Sequence, residues 1–126
     1  MKPSRVLFVD DDEFIRKIYI DRLQASEFEV VPASSGKEAK SLLEKETFDL
    51  ICLDYMLSDL NGIEILHWIR DEKHIITPVI AFSASGNEAK QQEFMAAGAS
   101  EFVQKDHVVP SELVEKIKKL IKKNNE

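Results

Sequence analysis

The sequence predicts a doubly wound α/β fold, a five-stranded parallel sheet in the order 2-1-3-4-5 with five helices divided between its faces. Three observations lead there. Short apolar runs alternate along the whole chain with longer segments whose apolar residues recur at helical spacing. The runs are near-continuous rather than alternating, as in strands covered on both faces. Right-handed crossovers then place successive helices on the two sides of the sheet, as the strand order reverses.

The elements follow in order. Val6 to Val9 form the first strand, which stops at Asp10-Asp11-Asp12-Glu13. From Glu13 to about Ser26, Phe14, Ile15, Ile18 and Leu23 recur at helical spacing, and Asp12 is placed to cap the first turn. Glu29 to Ala33 form a second strand whose Pro32 suits an edge position. Ser34-Ser35-Gly36 leads into a helix carrying Ala39, Leu42 and Leu43. Leu50 to Leu53 form the third strand, and a loop closing on Asn61-Gly62 opens a helix with Ile63, Ile65, Leu66 and Ile69 on its apolar side. Trp68 reads as core or partial cover. Pro78 to Phe82 form the fourth strand, followed by Ser83-Ala84-Ser85-Gly86 and a helix from Glu88 to Ala97 that Gly98 stops. Glu101 to Gln104 form the fifth strand, ending at Lys105. The last helix runs from Pro110 to about Lys123, with Leu113, Ile117, Leu120 and Ile121 as its stripe.

At 126 residues the chain is expected to form one domain over 1–126 that buries roughly two thirds of the unfolded chain's surface. Its 44% hydrophobic and 32% charged residues suit an ordinary folded protein rather than a disordered one. The net charge of -6 comes without a clustered basic face, so direct nucleic-acid binding is not expected. The lysines from Lys116 to Lys123 read as the solvated face of the last helix, near the C-terminal end of its dipole. Cys52, the one cysteine, lies within an apolar run and reads as a small buried hydrophobe in a reducing compartment. There is no stretch of membrane-spanning length and no signal-peptide core, so no membrane association and a cytoplasmic location are expected.

Ligands in such sheets bind beyond the carboxyl ends of the strands, where the order reverses between the first and third. Those ends carry Asp10, Asp11 and Asp12, then Asp54, Ser83 and Lys105. A lone Asp after a strand is usually a turn residue; a lone Ser or Lys there is usually solvated. Their joint placement is what changes the reading. Neighbouring strands lie about 4.8 Å apart, so the acidic cluster and Asp54 face each other across a gap that one cation could fill. Oxygen donors without nearby His or Cys, with room for water, suit Mg²⁺. A carboxylate nucleophile, a metal, a hydroxyl and an ammonium are the parts that phosphoryl transfer asks for.

On Val-Leu-Phe-Val-Asp-Asp-Asp at 6–12, Leu-Asp-Tyr-Met-Leu-Ser-Asp-Leu-Asn-Gly at 53–62, Ser83-Ala84 and Phe102-Val103-Gln104-Lys105, the chain resembles the receiver domain of two-component response regulators. The resemblance covers essentially the whole chain and is nearest in kind to the single-domain chemotaxis-type regulators. It implies a flavodoxin-like fold and a phosphoprotein of phosphorelay signalling. Asp54 would take a phosphoryl group from a sensor histidine kinase or phosphotransfer protein. Asp11 would ligate Mg²⁺ directly, Asp10 mainly through water, and the Met56 carbonyl would be a further ligand. Ser83 and Lys105 would bind phosphate oxygens. Phe102 would turn inward as Ser83 is drawn to the phosphate, a local charge event that moves a bistable element. The surface of the fourth helix, fifth strand and fifth helix would then meet a downstream protein or a second copy of the chain. Such a domain assists its own phosphorylation and dephosphorylation without being a conventional turnover enzyme.

Two residues depart from the family pattern. Ser58 stands where a proline is usual in the loop after Asp54, which should loosen that loop. Asp106 stands where a proline usually follows the lysine behind a cis peptide. A non-proline cis bond costs about 3 to 4 kcal/mol, so either a strained cis bond or a trans bond with a shifted loop is expected at Lys105-Asp106. Two other functions compete. A small phosphohydrolase of the haloacid dehalogenase type would use Asp10 as nucleophile with Asp12, Ser83 and Lys105, but that reading leaves Asp54 unexplained, and the chain lacks a cap insertion and a later acidic pair after the lysine. A receiver-like interaction domain would keep the fold and never be phosphorylated.

Overall fold

The strands are β1 (Arg5–Val9), β2 (Glu29–Ala33), β3 (Leu50–Asp54), β4 (Val79–Ser83) and β5 (Glu101–Gln104), in a computed structural model that describes residues 2–84 and 86–125. They alternate with α1 (Glu13–Ala25), α2 (Gly36–Lys45), α3 (Gly62–His67), α4 (Glu88–Ala97) and α5 (Pro110–Asn124). All pairings are parallel, in the order β2-β1-β3-β4-β5, as the run of elements predicts. Ser85, which falls in the predicted loop after the fourth strand, lies outside the described residues.

Successive residues of a strand point to opposite faces, and the core divides accordingly. Leu7, Val9, Ile51, Leu53, Val79 and Ala81 face a layer completed by Ala39, Leu43, Ile65, Leu66 and Phe94. Val6, Phe8, Leu50, Cys52, Ile80 and Phe82 face the other, completed by Tyr19, Leu23, Leu113 and Ile117. Each large aliphatic side chain so buried contributes about 1.5 to 3 kcal/mol. Burial also pushes the Cys52 thiol well above its ordinary range, so it stays a neutral hydrophobe.

The bounds of β1, β3 and β4 differ by a residue from the sequence expectation, with Ser83 closing β4 rather than following it, and two helices differ further. In α1, Phe14 is 72% exposed and Ile18 is 39% exposed, while Tyr19 and Leu23 are the buried residues. Tyr19 stacks on Phe8 at 5.9 Å and meets Phe82 edge-on at 5.0 Å. That seat turns the row Ile15, Tyr19, Leu23 inward, and Phe14 and Ile18, one residue earlier, are rotated about 100° away. The third helix does not run regularly through Ile69. It ends at His67 and continues as a π-helical turn over Trp68–Glu72. The wider turn carries Arg70 inward, where its guanidinium donates to the carbonyls of Gly98 (2.9 and 3.1 Å), Ile75 (2.7 Å) and Thr77 (2.8 Å). Gly98 ends α4 at φ +112°, and a Cβ there would stand 2.9 Å from Arg70. Glycine is required on both counts.

Candidate phosphoryl-transfer site

The register sets the site. Val9 pairs with Leu53, Asp54 with Phe82 and Ser83 with Gln104, so β1, β3, β4 and β5 end at nearly one level. Asp54 is the last residue of β3 rather than the first beyond it. The three aspartates after β1 separate into different tasks. Asp10 is fully buried, and its Oδ1 accepts from the Asp12 amide at 2.9 Å. Asp12 turns away to cap α1, its Oδ1 accepting from the amides of Phe14 at 2.9 Å and Ile15 at 3.1 Å. Asp11 is exposed, and one oxygen from each of Asp10, Asp11 and Asp54 lies within 4.8 Å of the others.

Lys105 enters from the end of β5. Its ammonium stands 2.7 Å from Asp10 Oδ2 and 3.2 Å from Asp54 Oδ2. Burial lowers the affinity of that amine for its proton, but the close pairing with Asp10 and the nearby charge of Asp54 outweigh it and hold the pKa above its ordinary value. Asp54 is only 4% exposed, and burial raises its pKa to about 6; Lys105 pulls it down and Asp10 pushes it up. The Met56 amide reaches Asp54 Oδ1 at 3.4 Å, a long contact. All peptide bonds among the described residues are trans, Lys105-Asp106 included. Of the two expected arrangements there, the trans bond is the one found, and it lies within a single 3₁₀ turn over Lys105–His107.

A cavity of about 120 Å³ opens beside Asp54. Ser83, Met56 and Lys105, candidates from the sequence, line it together with Tyr55 and Ala84 of the quoted motifs and with Lys90, which no motif includes. Ser83 is 2% exposed at the end of β4. Phe102 does not line the cavity; it is half-buried and meets Phe94 at 5.8 Å. Phe94 in turn meets Tyr55 edge-on at 5.7 Å, so an aromatic row runs from the residue after Asp54 to β5. Asp59 was missed as well. Its carboxylate spans the first amides of α2, accepting from Gly36 at 2.8 Å and Lys37 at 3.0 Å. The loop after Asp54 is thereby tied down despite Ser58. Its return is equally tight, for a Cβ on Gly62 would fall 2.3 Å from the Asp54 carbonyl oxygen.

The donor set fits a hard divalent cation, being all oxygen and part buried. Among the described residues, buried Asp10 Oδ2 is met only by the Lys105 ammonium, off the line of a good hydrogen bond. Such an atom has capacity left for a further cation.

A family model, that of the response regulator receiver domain, matches residues 6–118. The chain belongs to that family. This receiver domain is 32% identical over 120 residues to the transcriptional regulatory protein SrrA of Staphylococcus aureus, covering 95% of the chain and 48% of the relative. It therefore spans about half the length of the curated relatives it matches. Among solved structures, the CheY-like receiver domain protein of Methanospirillum hungatei JF-1 superposes with a TM-score of 0.91 at 28% identity, covering 98% of this chain and 97% of that one. The receiver domain of the Francisella response regulator 1452 does so with a TM-score of 0.90 at 29% identity, covering 96% and 98%. The haloacid dehalogenase alternative needs Asp12 beside Asp10 in the site, whereas in this receiver domain Asp12 is spent on the cap of α1.

Proposed function

We propose that the chain accepts a phosphoryl group on Asp54 from a phosphohistidine of a sensor kinase or phosphotransfer protein. The observation that carries this reading is a 4%-exposed carboxylate at a strand end, paired with Lys105 and flanked by two further carboxylates. An oxygen of Asp54 attacks phosphorus, the O–P bond forms as the N–P bond breaks, and the electron pair returns to the imidazole nitrogen. Lys105 offers its ammonium to the phosphoryl oxygens and Ser83 offers its hydroxyl. Asp10, Asp11 and Asp54 would hold Mg²⁺ with the Met56 carbonyl, and the ion would neutralise charge developing on the phosphoryl group. Drawing Ser83 toward the phosphate frees space into which Phe102 turns, and the face of α4, β5 and α5 changes its affinity for a downstream protein or a second copy. This is a cytoplasmic signalling domain rather than a turnover enzyme, and 1–126 act as one unit.

The test is incubation with acetyl phosphate and Mg²⁺, followed by intact-mass analysis of the wild type and Asp54→Ala. A gain of one phosphate in the wild type alone is expected. A gain that persists in Asp54→Ala would refute the assignment, and no gain in either would favour the interaction domain that is never phosphorylated.

A further inference from the structure

Lys90, on the first turn of α4, has no role in the chemistry above, yet it lines the same cavity as Asp54, Ser83 and Lys105. Its ammonium lies 4.0 Å from the centroid of the Tyr55 ring, while its backbone amide is held by the Asn87 side chain at 2.8 Å. The helix start is thus anchored while the side chain's charge rests on an aromatic face. A cation over a ring at an open cavity is weakly held compared with one hydrogen-bonded to an anion.

The charge balance of the site indicates what would draw it away. Asp10, Asp11 and Asp54 bring three negative charges together against one ammonium, that of Lys105. A divalent cation brings this set to neutrality. Converting the Asp54 carboxylate to an acyl phosphate replaces a single charge by about two, leaving one negative charge uncompensated at the cavity that Lys90 lines.

We propose that Lys90 is a second phosphoryl-contacting cation, parked on Tyr55 in the unmodified protein and drawn onto the phosphoryl oxygens once Asp54 carries them. The inference rests on Asp54 being the phosphoryl acceptor. It gives α4 its own link to the modification, separate from Ser83. It also removes the cation from the ring that begins the row Tyr55, Phe94, Phe102, so both links act on the same face.

The experiment uses the full chain with Mg²⁺ and beryllofluoride, a tetrahedral anionic mimic of the phosphoryl group, titrated by calorimetry into the wild type, Lys90→Met and Lys90→Arg. Lys90→Met should bind beryllofluoride about tenfold more weakly, and Lys90→Arg within about threefold of the wild type, as loss and retention of one charge-assisted hydrogen bond require. Mg²⁺ affinity without beryllofluoride, and the melting temperature, should be unchanged in both. Wild-type affinity for beryllofluoride in Lys90→Met, or a matching loss of Mg²⁺ affinity, would overturn the proposal while leaving Asp54 as acceptor. A wild type that neither binds beryllofluoride nor gains phosphate would overturn the acceptor reading and this inference with it.

Discussion

Lys105 is closer to Asp10 than to Asp54: its ammonium lies 2.7 Å from Asp10 Oδ2 and 3.2 Å from Asp54 Oδ2. In the unmodified domain the lysine therefore compensates the fully buried carboxylate first and the proposed nucleophile second. A divalent cation held by Asp10, Asp11 and Asp54 would compete with Lys105 for the Asp10 carboxylate and would leave the ammonium to whatever Asp54 carries.

Removing that lysine should expose the competition. In Lys105→Met, Asp10 and Asp54 are left as buried like charges, and breaking a buried pair in this way costs about 3 kcal/mol. Urea unfolding without metal should show the loss, and millimolar Mg²⁺ should restore much of it in the variant while raising the wild type less. Equal Mg²⁺ stabilisation of the two proteins would contradict this account.

Asp54, the proposed nucleophile, is held at a cost. Because the pKa of Asp54 rises from 3.8 to about 6 on folding, the native state binds more protons than the unfolded state between those values, and stability falls as pH rises through that window. Asp54→Asn should match the wild type near pH 3.5 and exceed it by about 2 to 3 kcal/mol above pH 6.5, in metal-free buffer. Denaturant titrations at several pH values measure this. A variant less stable than the wild type at pH 8 would refute it.

Asp59 should prove to hold the loop that Ser58 was expected to loosen. Asp59→Ala removes the acceptor of two α2 amides and should cost about 1 kcal/mol, the usual worth of a helix cap. Faster hydrogen exchange is expected at Gly36 and Lys37. Those two amides hold the Asp59 carboxyl below its ordinary range, so its contribution is full above that range and is lost as pH falls through the lowered value. Unchanged exchange at both amides would rule out the latch.

Arg70 should be a stability residue with no part in the chemistry. Arg70→Leu leaves the carbonyls of Ile75, Thr77 and Gly98 without their donor, and about 2 to 4 kcal/mol should be lost on thermal or urea unfolding. Acetyl phosphate labelling of Asp54 should persist at temperatures where the variant is folded.

What the sequence determined by itself is whatever depends on neighbours in the chain. The apolar runs and helical spacings are local, so the order of the elements, the bounds of α4 and β5, the Asp12 cap and the strand-end positions of Asp54, Ser83 and Lys105 could all be read from it. A parallel doubly wound sheet brings strand ends to one edge whatever its details, so the candidate site came with the fold.

Only the tertiary structure decided which residues meet across long separations. The inward face of α1 was set by Tyr19 seating on Phe8 and Phe82, which no periodicity within α1 encodes. Arg70 and the carbonyl of Gly98, Asp59 and the amides of α2, and Lys90 and the Tyr55 ring each pair groups far apart in the chain, with no local signal in either partner. At the bond after Lys105 the family pattern and local preference pulled apart; the structure keeps the locally favoured trans form and still holds the ammonium 2.7 Å from Asp10. Elements follow from short-range sterics and hydrophobic spacing. The partners of a charge or an aromatic face follow from packing, which exists only once the chain has closed.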